Sequence, residues 1–402
     1  MEILHRFIAQ LALLGAVFFV NTGWASIAEL PEEDYSEILG PGCPQLVTAA
    51  NYGKWDPYEG REMVLDTIRL NDELEARRLA GEMNEQRLLQ EGYIEYSEDE
   101  VKDKAGQSQP FRVVRLPKIR TGFYLPTKKK KPVDPKLYDG VLILMAGIGA
   151  PVSQALSMLE IAGTFNKAEN PNLEIVPGRR LKLLPMALDV SLNGLGEDMP
   201  MYFGHPMGAV AAQRHAVIIA KILFPDLADD VALGGRSQGG ANAAEYAVRY
   251  NDIKLAFALS ASHPEPHMVQ HTIDKHEYLR HPEHHLEARM MGFDIAAHAK
   301  SWTAHWYYTH LYRFLQRPAR APIYAMAGLK DNGYLQPYYV DSLRKWASQS
   351  PLRDVAVFNG IHNMWMRRKA YLEEDTLIFN QVVRHMTEAW IRHSPKLQSL
   401  RR

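Results

Sequence analysis

Apolar and polar positions follow two different periods along this chain. Over 61–90, Val64, Ile68, Leu70, Leu74, Leu79 and Met83 recur mostly three to five residues apart among many charges, the spacing of one or two amphipathic helices. Such a pattern predicts a charged, solvated outer face laid over a core rather than a partner-binding helix, and no chemistry is expected there. The lead-in at 26–60 is rich in Pro, Gly and acidic residues without periodicity, and 98–108 is an acidic, polar stretch with no element assigned. The pattern then turns to short β-like runs at 111–116, 121–125 and 140–146, the last reading GVLILMA. An apolar run with almost no interruption is that of a central strand covered on both faces.

Helical and strand patterns alternate from there. Helices are predicted at 152–162, 210–223, 240–250, 337–347 and about 377–391, and strands at 181–190, 230–234, 255–259, 323–327 and 355–358, with a long insertion before 323. Alternation of this kind predicts a mostly parallel sheet with helices on both faces. In open sheets so built, ligands bind beyond the carboxyl ends of the strands, so the residues just after each strand are where chemistry is sought.

The first segment carries a different message. His5 and Arg6 precede an apolar stretch at 7–20 broken only by Gln10, followed by the small residues Gly23 and Ala25 on either side of Trp24. A positive start, an apolar core of about 7 to 15 residues and a small-x-small end describe a secretory signal peptide. Cleavage is expected after Ala25 or Ala28, leaving a secreted or periplasmic protein. The run falls short of the ~20 residues that a membrane-spanning helix needs, so no stable span is expected after cleavage.

Composition narrows the functional classes. With 402 residues, 46% of them apolar, the chain is ordinary for a folded protein built on one large domain with accessory segments. Its 46 Lys+Arg and 47 Asp+Glu give a net charge of −1, and its one basic run, 128–131, is a short block. Nothing there attracts a phosphate backbone, and nucleic-acid binding is not expected. The one cysteine, Cys43, excludes an intramolecular disulfide and a cysteine-based metal cluster. His267 and His271 stand four apart, a spacing metals use on helices, but no H-E-x-x-H pattern supports them and no metal is expected.

The most specific chemistry follows the predicted strand 230–234. Gly235-Arg236-Ser237-Gln238-Gly239-Gly240 runs directly into a helical pattern, matching G-x-S-x-G, in which a serine sits exposed at a sharp strand-to-helix turn. Gly235, Gly239 and Gly240 fall where side chains would collide as the strand folds back. The competing explanation is a structural glycine-rich turn. A serine hydroxyl is a weak nucleophile and needs a base, itself oriented by a third group. After 323–327 stands Gly328-Leu329-Lys330-Asp331, and after 355–358 stands Gly360-Ile361-His362. Asp331 alone could be a helix cap, and His362 alone a surface histidine. Glu265, after the strand 255–259, is an alternative acid, whereas Asp354 precedes its strand and belongs to the wrong end of the sheet.

Elbow, acid loop, histidine loop and their order Ser237, Asp331, His362 together resemble the α/β-hydrolase family of serine hydrolases, over most of the chain from 111 onward. The resemblance implies an α/β-hydrolase fold, a mostly parallel central sheet with helices on both faces and a helical cap insertion. It divides the chain into a signal peptide (1–25), an N-terminal extension (26–110), a core in two parts (111–262 and 319–402) and a cap (263–318). The cap region holds ten of the 16 histidines and several aromatics, among them Trp302, Trp306 and Tyr307, fit to shape an apolar pocket. The alternative is a helical outer layer whose aromatics merely bury against the body. An oxyanion hole is implied from the main-chain N–H groups of Gln238 and Ile148. The glycines Gly147 and Gly149 flank the second donor, while Ala146 departs from the histidine many relatives carry there.

The activity implied is cleavage of a carboxylic ester through an acyl-enzyme, with no cofactor and a small-molecule acyl substrate. A serine peptidase of the prolyl-oligopeptidase kind is the alternative within the same chemistry, though no propeller-like repeats occur. A non-catalytic binding protein on this fold is the alternative outside it.

Overall fold

The computed structural model describes residues 57–102, 108–126, 134–145, 174–189, 206–261, 317–331, 338–361 and 373–401. Helix α1 (Pro57–Leu79) and the short α2 (Glu85–Gln90) come first, followed by strands β1 (Glu95–Lys102), β2 (Ser108–Leu116), β3 (Thr121–Pro126) and β4 (Gly140–Met145). A small hairpin of β5 (Glu174–Val176) and β6 (Arg179–Arg180) leads into β7 (Leu183–Asp189). Then come α3 (Pro206–Leu223), β8 (Val231–Arg236), α4 (Gln238–Arg249) and β9 (Ala256–Leu259). The chain closes with β10 (Ile323–Gly328), α5 (Tyr338–Ser348), β11 (Arg353–Phe358), α6 (Glu373–Arg392) and α7 (Pro395–Arg401).

Nine strands form one sheet in the order β1-β2-β3-β7-β4-β8-β9-β10-β11. The pairs from β1 to β7 are antiparallel and those from β7 to β11 are parallel. From β4 the chain passes first to β7 on one side and then to β8 on the other. Strand order therefore reverses between β7 and β8, and such a reversal opens a crevice at the carboxyl ends of the strands involved. This doubly wound order is the α/β-hydrolase fold.

Every residue of GVLILM in β4 is buried, as an apolar run without alternation requires. Leu142 and Leu144 join Phe257, Leu259, Tyr324 and Met326 in a core closed by Phe379, Val383, Met386 and Trp390 of α6. On the other face, Met145 meets Gln213 of α3, the amide Nε2 lying 3.8 Å from its sulfur. Helix α3 is buried almost all round because α1 covers its outer side. That contact is partly polar: Asn71 of α1 donates to the Ala211 carbonyl at 2.9 Å, and its Oδ1 lies 2.7 Å from Nδ1 of His215.

Two stretches depart from the reading of the sequence. The acidic segment 98–108, to which no element was assigned, contributes β1, and β2 begins at Ser108 rather than 111. The sheet accordingly starts at Glu95, inside the segment expected to be an extension. An edge strand needs no second apolar face, and the run Glu98, Asp99, Glu100 in the sequence hides it from any test based on apolar periodicity. The β5–β6 hairpin was also unassigned, although Pro177-Gly178 marks its turn, with Gly178 at φ 78. The helix expected at 152–162, the leader at 1–25 and all but the last two residues of the cap at 263–318 lie outside the described residues. Among the described residues, no helix is long and apolar enough to cross a membrane.

Candidate active site

The site begins at the end of β8. Ser237 connects that strand to α4 with φ 53 and ψ −119, a conformation an L-residue other than Gly rarely adopts. A serine that merely capped the helix would have extended φ/ψ and would accept a bond from a first-turn N–H through its side chain. Ser237 does neither: its side chain makes no cap bond. The geometry is that of a nucleophile elbow, with strain on the order of 1–3 kcal/mol held by the surrounding packing. Two main-chain bonds hold it, from Ser237 N–H to the Leu259 carbonyl at 2.9 Å and from Ala241 N–H to the Ser237 carbonyl at 3.0 Å.

The glycines do the work that crowding requires. A Cβ on Gly235 would stand 2.7 Å from the Met145 carbonyl oxygen of β4 and inside the main chain of Gly239. One on Gly240 would stand 2.7 Å from the Gly235 oxygen and 2.9 Å from the Leu259 nitrogen. The turn is therefore tight enough to bring the second and third glycines against the first and against β9. Gln238 opens α4, and a helix offers its first N–H groups no intrahelical acceptor. The Gln238 N–H is thus one of the first-turn donors that the helix itself leaves without an acceptor.

Asp331 follows β10 and is 1% exposed. Its loop is bonded directly to the one that leads to His362. Leu329 N–H donates to the Phe358 carbonyl and Lys330 N–H to the Gly360 carbonyl, both at 2.8 Å, while Asp331 N–H turns back to Gly328 at 3.2 Å. Gly328 permits this approach, since a Cβ there would lie 2.8 Å from the carbonyl carbon of Gly360 and 3.1 Å from the Ile361 oxygen. The register Gly328 against Phe358 brings both loops to one height at the carboxyl end of the sheet, the end at which Ser237 stands. His362 itself, Glu265, Ile148 and the rest of 146–150 lie outside the described residues, as do His267 and His271.

Asp354 stands where the sequence reading put it, at the amino end of β11. Its carboxylate pairs with Arg392 Nη1 at 3.1 Å, at the opposite end of the sheet from the elbow. One residue next to the site escaped the sequence. Ser260, immediately after β9, also has positive φ, 45, and is fully buried. Neither its type nor its neighbours Leu259 and Ala261 form a recognised turn signal, so only the folded backbone reveals it.

The fold defines the class, an α/β-hydrolase-fold protein, here with a serine of positive φ at the turn from β8 into α4. Comparison with known proteins adds the following. A family profile described as Mbeg1-like matches residues 185–287, about a quarter of the chain, a stretch that runs from β7 through the elbow. No curated protein matches the sequence. Similar solved structures include an esterase from Pyrococcus furiosus, at 11% identity and a TM-score of 0.43, covering 75% of this chain and 92% of that one. An S-formylglutathione hydrolase from Staphylococcus aureus is similar at 13% identity and a TM-score of 0.38, with 75% and 97% covered. A puromycin-hydrolyzing peptidase from Mycobacterium tuberculosis is similar at 12% identity and a TM-score of 0.43, with 75% and 40% covered.

Proposed function

We propose that this protein is an exported serine hydrolase that cleaves carboxylic esters through an acyl-enzyme. The observation that carries the reading is the conformation of Ser237: a non-glycine residue at φ 53, in a cradle of glycines, where the strand order of the sheet reverses. In this reading Ser237 Oγ attacks the ester carbonyl while His362 takes its proton, and Asp331 holds the imidazole in the required tautomer. The oxyanion accepts from the N–H groups of Gln238 and Ile148. Collapse of the tetrahedral species expels the alcohol, which receives the proton from His362. Water, deprotonated by the same histidine, then frees the acid and restores Ser237.

Export rests on the charged start, apolar core and small-x-small end of 1–25. A peptidase would use the same residues, so substrate chemistry is decided by assay. Purified mature protein is treated with a fluorophosphonate probe and then offered chromogenic esters of graded acyl length and amino-acyl anilides. The expected result is covalent labelling that Ser237→Ala abolishes, with turnover of esters and not of anilides. An unlabelled wild-type protein overturns the hydrolase reading; turnover of anilides alone replaces the ester with a peptide bond. Asp331→Asn is expected to lower kcat on the preferred ester by at least about 100-fold. Should Glu265→Gln do so instead while Asp331→Asn does not, the acid is Glu265.

A further inference from the structure

Among the described residues, three besides glycine have positive φ: Arg120, Ser237 and Ser260. Arg120 is exposed and ends a short turn after 117–119. Ser260 is different, because it is fully buried and lies one strand from the elbow. Strained backbone in a buried position persists only where the surroundings over-determine it, and it gathers at functional sites.

What surrounds Ser260 is specific. The peptide unit joining Leu259 to Ser260 points its carbonyl at the Ser237 N–H, 2.9 Å away, and its N–H at the Met326 carbonyl of β10, 2.8 Å away. One peptide therefore ties the nucleophile to the strand that carries the acid loop. On either side of the same turn, the Leu259 nitrogen and the Ala261 methyl bound the space at Gly240, at 2.9 and 3.2 Å from the position a Cβ there would occupy. The left-handed turn at Ser260 sets the Ala261 methyl against Gly240 while the Leu259 side chain, two residues earlier, stays in the core packed with α6; an extended residue at 260 would leave both side chains on one face of the sheet. Met326 stands two residues before Gly328, which is packed on Gly360. The turn is thus bonded through main chain to the elbow and to β10, whose end packs on Gly360.

We propose that Ser260 is a positioning residue: its left-handed turn holds the Leu259 carbonyl on the Ser237 N–H and so keeps the nucleophile in its reactive backbone conformation. The inference rests on the serine-hydrolase reading above. It assigns the effect to the backbone at 260 and not to the hydroxyl, which separates two substitutions. Ser260→Gly removes the hydroxyl but accepts positive φ; Ser260→Thr keeps the hydroxyl but is β-branched and resists it.

The experiment measures the second-order rate of fluorophosphonate labelling, with kcat and KM on the best ester, for wild type, Ser260→Gly, Ser260→Ala and Ser260→Thr, each checked for folding by circular dichroism and thermal melting. The expected result is that Thr lowers labelling and kcat at least 10-fold with KM within 2-fold of wild type. Gly is expected to restore the labelling rate to within about 3-fold even where its melting temperature is lower, and Ala to fall between the two. A purely structural role would make activity follow melting temperature, and that outcome overturns the proposal. So does the reverse order, Thr active and Gly inactive, which assigns the effect to the hydroxyl. If Thr does not fold, Gly against Ala decides: an Ala variant labelled as fast as Gly or faster overturns it. Absence of labelling in the wild type is the failure of the hydrolase reading itself and is seen before any variant is compared.

Discussion

At the scale of single residues, the elbow is a problem of excluded volume solved by missing side chains. Gly235 stands between the Met145 carbonyl and the main chain of Gly239, so even one methyl must separate β4 from β8 or open the turn. Gly235→Ala is expected to cost about 3 kcal/mol or more, read as a lower urea midpoint, and to abolish fluorophosphonate labelling of what remains folded. Ser237→Ala removes only an oxygen that makes no cap bond, so its stability should stay within about 1 kcal/mol of wild type while labelling vanishes. These residues stood out because the tight turn restricts their types: a serine between glycines leaves a pattern in the one-letter string. Asp331 was singled out for the same reason, from the Gly-x-x-Asp sequence after a strand. Ser260 was not. Its importance comes from a backbone angle and from contacts with Ser237 and Met326, residues far from it in sequence.

Elements follow a related rule, that apolar periodicity reports burial rather than hydrogen bonding. The fully buried β4 announced itself, whereas β1, one edge of the sheet, was concealed by its charges. Helix α1 was read as a cover for the core and does cover α3, but through a polar contact that periodicity does not register. His215, fully buried beneath it, has its pKa pushed down to about 3 by burial, with the Lys118 charge adding to the effect. Burial also lowers the pKa of His385 and His393 under the β10–β11 end of the sheet. The folded form of His215 thus binds its proton less readily than the unfolded chain, whose histidines titrate near 6.5. Stability from this group is complete above about pH 6.5 and is lost progressively as pH falls toward 3. Between pH 6.5 and 4.5 the loss from His215 alone is about 2 to 3 kcal/mol. Urea unfolding of wild type and His215→Gln at both pH values is the check, and the wild type should show the steeper fall by about that amount.

Across the whole molecule, the two ends of one sheet are closed by different contacts. The amino end is closed by α6, where Trp390 packs against Gly140, leaving no room for a Cβ. Asp354 and Arg392 are paired near that end as well. The carboxyl end carries the elbow and the acid loop. Gly140→Ala should therefore lower the melting temperature by several degrees, about 1 to 3 kcal/mol of overpacking. The labelling rate per folded molecule should be unchanged, measured below the melting transition. A parallel change in labelling would mean that the two ends are coupled through β4.

The residues by themselves determined the class of fold, and they marked the carboxyl ends of the strands, with Ser237 and its expected partners Asp331 and His362, as the place to look for chemistry. Period, strand-to-helix alternation and side-chain type are local properties, and they survive in a linear string. Tertiary structure decided the rest. The reversal of strand order between β7 and β8, the pairing of charged β1 at the sheet edge, the meeting of Gly328 with Gly360 and the left-handed turn at Ser260 all depend on which distant segments become neighbours. Their physical basis is contact and hydrogen bonding across long sequence separations, for which no single residue type is required and so none appears as a signal.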